Sequence, residues 1–159
     1  DIGAGTGELA SSLARRGLAV DGLDLWPEPS DWPPGRTWHR TDLREFRDYD
    51  GYDAMLGNFI FHQFSSAELH ALGEKLRASA RVILAAEPLR RRFSQILFRA
   101  LGPLLGANRV SLHDAHVSIA AGFRGDELPR ALGLDASEWD VRCTNPALGV
   151  YRMIALRRP

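Results

Sequence analysis

The sequence opens on Asp1-Ile2-Gly3-Ala4-Gly5-Thr6-Gly7-Glu8-Leu9-Ala10, with three glycines at alternate positions behind an acidic residue. Glycine tolerates positive φ and lets a ligand come close to the backbone. A loop of this kind ordinarily joins a buried strand to a helix. The helix follows, from Glu8 to Arg16, with Leu9 and Leu13 four apart on one face. The strand that would feed the loop is missing, so residues 1–159 read as one domain that is incomplete at its N-terminus. If that central strand is lost, its neighbours lose a shared hydrogen-bond partner, and the fragment alone is expected to be poorly stable.

Outward from the loop, helical and extended stretches alternate, which is the pattern of an α/β domain with a parallel sheet. LAVDGLDL at 18–25 reads as a strand ending at Asp24, RTWHRTDL at 36–43 as a short one, and YDAMLGNFIF at 52–61 as a buried one. Between the first two, WPEPSDWPPG carries four prolines in ten residues, which disfavours a long helix. Residues 65–78 read as a helix capped by Ser65 or Ser66, with Leu69, Leu72 and Leu76 inside. RVILAAE at 81–87 is a buried strand, and residues 89–105 suit a longer helix bent near Gly102-Pro103. Along that helix Phe93, Ile96, Leu97, Leu101, Leu104 and Leu105 fit a packed face or the wall of an apolar pocket. A shorter helix is expected over 125–132. EWDVRCT and GVYRMIAL, split by NPAL at 145–148, close the chain as an antiparallel pair. The expected fold is a Rossmann-like, doubly wound, mostly parallel sheet with a C-terminal antiparallel hairpin.

Composition narrows the function classes. Twenty basic and twenty acidic residues balance, so the whole chain has no electrostatic footprint for nucleic acid or an anionic membrane, and neither partner is expected. No apolar run reaches the length of a membrane span. Cys143 is the only cysteine, which rules out an internal disulfide and any iron–sulfur cluster held by this chain. Nothing marks an oxidising compartment, and the expected location is cytoplasmic. The oligomeric state stays open.

The glycine spacing separates two cofactor chemistries. A dinucleotide loop wants G-x-G-x-x-G or A, with a pyrophosphate on the helix N-terminus. Counted from Gly3, the third small position is Glu8, and a carboxylate there repels a pyrophosphate. The pattern is instead D-x-G-x-G-x-G. Asp24 follows Gly7 by seventeen residues, close to the spacing at which an acid grips ribose hydroxyls in Rossmann-like sites.

With TDL at 41–43 after the third strand, this set resembles the class I S-adenosylmethionine-dependent methyltransferases. The resemblance implies that the loop wraps the amino-acid end of the cofactor, with Asp1 by its ammonium group. It implies that Asp42 accepts from the adenine amine, while a neighbouring backbone N–H reaches a ring nitrogen. The implied cofactor set is Asp1, Gly3, Ala4, Gly5, Gly7, Asp24, Leu25, Asp42, Leu43 and Asn58. A nicotinamide-dependent oxidoreductase, or a cofactor-binding protein that only regulates or scaffolds a partner, is the alternative.

The acceptor side is less specific. Asn58 is followed by Phe59 and Ile60, without the prolines that related base-flipping amino-methyltransferases use. FHQF at 61–64 resembles a subgroup of small-molecule methyltransferases, and SIAAGFRGDEL at 118–128 is similar to the late region of quinone C-methyltransferases. The expected acceptor is an oxygen or carbon of a small, largely apolar metabolite. His62, just past a strand end, is a candidate base or a histidine packing the next helix. Glu87 can orient a base, touch the acceptor, or pair with Arg90, Arg91 or Arg92. His113, Asp114 and His116, on an expected loop, make a thin set for a metal; no metal is expected, and they read as substrate-cavity residues, a base with the group that orients it, or as plain loop residues.

Overall fold

Ile2 is the joint of the sheet. In the computed structural model, which describes residues 1–106, 108–146 and 149–159 apart from the side chains of Ser94, Leu97, Leu104 and Leu105, Ile2 forms parallel bridges to both Leu23 and Gly57. The Ile2 N–H donates to the Leu56 carbonyl at 2.8 Å, Gly3 N–H to Leu23 at 2.8 Å, and Leu23 N–H to Asp1 at 2.9 Å. On one side lie the parallel strands β1 (Gly22–Asp24) and β2 (Trp38–Arg40). On the other, β3 (Ala54–Asn58) pairs in parallel with β4 (Val82–Pro88). The C-terminal hairpin, β5 (Trp139–Thr144) and β6 (Val150–Arg157), joins antiparallel through β6, which lies between β4 and β5. The chain therefore winds outward from Ile2 in one direction, returns, and winds outward in the other. That is the expected doubly wound topology, with its reversal at the glycine loop.

Among the described residues five α-helices pack around this frame. α1 (Glu8–Ala14) starts directly after the loop, with Gly7 as a left-handed N-cap. α2 (Ser66–Ser79) opens with a capping box: Ser65 Oγ accepts from the Glu68 N–H, and the Glu68 carboxylate accepts from the Ser65 N–H. α3 (Arg92–Leu101) runs into a 3₁₀ turn at Gly102–Leu105, because Pro103 cannot continue the α-helical ladder. α4 (Arg109–Ala121) and α5 (Glu127–Ala131) complete the set. The core gathers Trp139, Tyr151, Phe61, Leu76, Ile83, Leu128, Leu132 and Met153, all fully buried. Alternation along β4 puts Ile83, Ala85 and Glu87 on one buried face.

Three expectations are corrected. The strand expected over 18–25 is confined to Gly22–Asp24, because Asp21 spends its carboxylate on the Thr37 N–H and the Tyr52 hydroxyl, and Leu18 stands exposed. The His113–His116 stretch lies on helix α4, not a loop; Asn108 caps that helix by accepting from the Ser111 N–H at 2.9 Å. The described apolar residues expected on the packed face of α3 are not core: Phe93, Ile96 and Leu101 are 71%, 68% and 44% exposed. Leu97, Leu104 and Leu105 fall among the side chains outside the description, as do Ala147 and Leu148 of the NPAL turn.

α2 and α5 meet at Gly73, where an added Cβ would stand 2.2 Å from the Leu132 carbonyl oxygen. A rigid backbone atom is the obstacle, so the helices must part to accept a methyl group. Gly73→Ala should lower unfolding free energy by about 1–3 kcal/mol in urea titration, the usual cost of overpacking, despite alanine's better helix propensity.

Candidate functional site

The loop glycines adopt the left-handed backbone that their sequence implied: Gly3, Gly5 and Gly7 have φ of 68°, 58° and 75°. At Gly3 an added Cβ would collide with the Ile60 side chain at 2.5 Å, whereas at Gly5 it would meet nothing within 4 Å. The loop therefore packs on one side and offers bare backbone on the other. A cavity of about 450 Å³ opens there, within the range of small-molecule sites. Gly3 and Gly5 form its floor, Leu23 to Trp26 and Thr41 to Arg44 one wall, and Phe59, Ile60, Gln63 and Phe64 the other. It lies beyond the carboxyl ends of β1, β2 and β3, where open α/β sheets take ligands.

Six of the ten expected cofactor residues line this cavity: Gly3, Gly5, Asp24, Leu25, Asp42 and Leu43. Asp24 staples the loop to its wall, accepting from the Gly5 N–H at 2.8 Å and the Trp26 N–H at 3.0 Å. A carboxylate has about four acceptor positions, so roughly two remain for a ligand. The Leu43 N–H has no partner among the described residues. Ala4, Gly7 and Asn58 shape the loop and strand end without lining the cavity, and Asn58 is exposed. Asp1 lines a separate small cavity, and its Oδ1 is buried without a partner among the described residues.

Asp42 is engaged differently. Its carboxylate accepts from the Arg44 backbone N–H at 2.8 Å, from Nε at 3.0 and 3.2 Å, and from Nη2 at 2.7 Å. Arg44 also reaches Glu68 at 3.0 Å. The side-chain hydrogen bond from Arg44, then its backbone N–H, hold the Asp42 carboxyl below the usual carboxylate range. A carboxyl depressed in the folded state stabilises the fold above its unfolded pKa, and that contribution is lost as pH falls through the folded pKa. Sequence reading missed Arg44, although its place two residues after Asp42 was the available signal.

His62 and Glu87 come together. Glu87 is wholly buried at the end of β4, and its Oε1 accepts from the Ile60 N–H at 2.9 Å and the Phe61 N–H at 2.8 Å. Its Oε2 accepts from the His62 N–H at 3.3 Å and lies 2.6 Å from His62 Nδ1. Beside a carboxylate, Nδ1 carries the proton, leaving Nε2 as the acceptor. The alternative pairing with arginine does not form, since Arg90 pairs with Glu127. Phe59, at the head of this turn, is the one non-glycine residue at positive φ among the described residues (58°). His113 and His116 line a different cleft, of about 260 Å³ between α3 and α4, although α4 also touches the turn that carries His62.

The architecture has known counterparts. The chain superposes on the plantazolicin methyltransferase BpumL in complex with SAH with a TM-score of 0.76 and 14% identity, over 99% of this chain and 75% of that one. Human N-acetylserotonin methyltransferase in complex with SAM gives 0.65 and 13%, over 100% and 47%. The pyocyanin biosynthetic protein PhzM gives 0.61 and 16%, over 99% and 49%. The chain thus spans three quarters of the first and about half of the other two, and at these identities the likeness shows a shared class I methyltransferase-like fold. No family model and no curated protein matches the sequence at a significant level.

Two outcomes test the geometry. Arg44→Ala should move the Asp42 titration upward, toward the ordinary value near 3.9, in carboxyl carbon NMR. Glu87→Gln places an amide N–H₂ among backbone donors, and should cost about 1–3 kcal/mol in thermal or urea unfolding; an unchanged midpoint would show that the carboxylate is not what holds the turn.

Proposed function

We propose that this chain is a class I S-adenosylmethionine-dependent methyltransferase domain, acting on an oxygen or, as a second choice, a carbon of a small, largely apolar metabolite. The observation that carries the reading is the Asp24-stapled glycine loop at the switch point of the sheet, with bare backbone at Gly5 facing the cavity. The residues present fit that cofactor. Asp24 retains acceptor capacity for vicinal hydroxyls, and the Leu43 N–H, without a partner among the described residues, is a donor for a ring nitrogen. Asp42 would serve an exocyclic amine only through whatever capacity Arg44 leaves it. The competing dinucleotide reading is disfavoured because Glu8 occupies the first turn of α1, where a pyrophosphate would lie. A purely regulatory role is disfavoured by the His62–Glu87 pair, which a binding module does not need.

When bound, S-adenosylmethionine supplies a methyl group from its sulfonium centre. The chain contributes position, exclusion of water and a base. Glu87 fixes the His62 ring and its tautomer, so that Nε2 takes the proton from an acceptor hydroxyl or an activated carbon, and the carboxylate stabilises the imidazolium that results. The His62 side chain is 8% exposed, shielded from bulk water, and stands in the turn between Ile60 and Gln63 of the cavity wall rather than in the cavity lining itself.

The decisive experiment incubates the full-length protein with methyl-labelled cofactor and a host metabolite extract, followed by mass spectrometry. Label should enter a small apolar molecule; label in nucleic acid or protein would sink the substrate assignment. His62→Ala should lower turnover by about 10²–10⁴-fold while leaving calorimetric cofactor affinity nearly unchanged. Asp24→Ala should do the reverse, weakening cofactor binding by about 1–3 kcal/mol. Tight NADH binding with no response to S-adenosylmethionine would replace the reading with an oxidoreductase.

A further inference from the structure

The α3–α4 pair packs mainly on itself and meets the rest of the molecule through α4, which touches the Phe61–Gln63 turn and strand β4. Neither helix buries a described side chain, and the two are tied to each other, as where Gln95 Nε2 donates to the His116 carbonyl at 3.2 Å. On α3, Phe93, Ile96 and Leu101 fall on one face at helical spacing, all exposed. On α4, Val110 and Val117 are seven apart and 66% and 50% exposed. This stripe is bordered by cations: Arg92 and Arg99 flank it on α3, Arg91 precedes it, and Arg109 begins α4. These four have no acidic partner among the described residues. Between Pro88 and Gly125 the sequence holds six arginines and one acid, Asp114, in a chain whose charges balance overall at 20 and 20.

We propose that this helix pair is a peripheral docking surface for an anionic lipid bilayer. A helix with an aromatic and aliphatic face, edged by arginines, lies in the plane of a membrane interface. The apolar side chains enter below the headgroups while guanidinium groups bind lipid phosphates, often bidentately. Docking is peripheral, since no helix among the described residues is long and apolar enough to cross a membrane. The surface shares no residue with the lining of the Asp24 cavity, so the inference stands independently of the methyl-transfer reading.

The test is co-sedimentation of the full chain with vesicles of phosphatidylcholine alone and of phosphatidylcholine mixed with phosphatidylglycerol. Binding is expected to the mixed vesicles and to weaken with added salt. The pair Arg92→Glu and Arg99→Glu, and separately the pair Phe93→Ser and Ile96→Ser, should each lower partitioning by about tenfold or more. These side chains are exposed, so both variants should keep the parent's circular dichroism and its unfolding midpoint. Failure to bind either vesicle, or binding that both variants leave intact, overturns the proposal. So does a dimer that Phe93→Ser and Ile96→Ser dissolve in the absence of lipid binding, which would assign the face to a second copy of the chain. An acidic protein that binds the face while vesicles do not would likewise overturn it.

Discussion

The carboxylate of Glu87 organises the site. Burying it costs free energy unless every acceptor position finds a donor. The chain supplies those donors from one short turn: three successive backbone N–H groups at Ile60, Phe61 and His62, and the His62 ring. A turn that points three N–H groups at one anion is sharply constrained. Its first residue, Phe59, sits at a φ of 58°, which costs a non-glycine residue about 1 kcal/mol or more. The same turn delivers Ile60 against Gly3 and sets Phe59, Gln63 and Phe64 along the cavity. One buried anion thus fixes a histidine, a cavity wall and the contact that excludes a Cβ from the glycine loop.

Much of this was legible in the sequence, for local reasons. The glycine spacing announced positive φ, the run RVILAAE announced a buried strand, and the serines at 65 and 66 announced an N-cap, which Ser65 provides. Asp24 was found because the offset from a glycine loop is set by one helix and one strand. What escaped notice depended on long-range geometry. Whether Glu87 faced three arginines or a histidine was undecidable from sequence, since Arg90 is three residues away and His62 is twenty-five. Helical periodicity in Phe93, Ile96 and Leu101 revealed an amphipathic face without saying what it packs on, and the face turned out to be open. His113 and His116 looked like loop residues because α4 has little amphipathic contrast to announce it. A whole-chain charge of zero, finally, concealed a strong excess of arginine between Pro88 and Gly125.

The joint at Ile2 bears on how the molecule responds to anything it binds. Ile2, bridged to Leu23 on one side and Gly57 on the other, joins a two-stranded and a four-stranded unit. Side chains add to it: Arg44 of the smaller unit pairs with Glu68 of α2, and the Lys75 ammonium donates to the Arg44 and Phe46 carbonyls. The large cavity straddles this seam: Asp24 to Trp26 and Thr41 to Arg44 belong to the smaller unit, and Phe59 to Phe64 to the larger. A ligand that fills it acts as a clamp across the seam. Thermal stability then rises with the logarithm of ligand concentration above saturation.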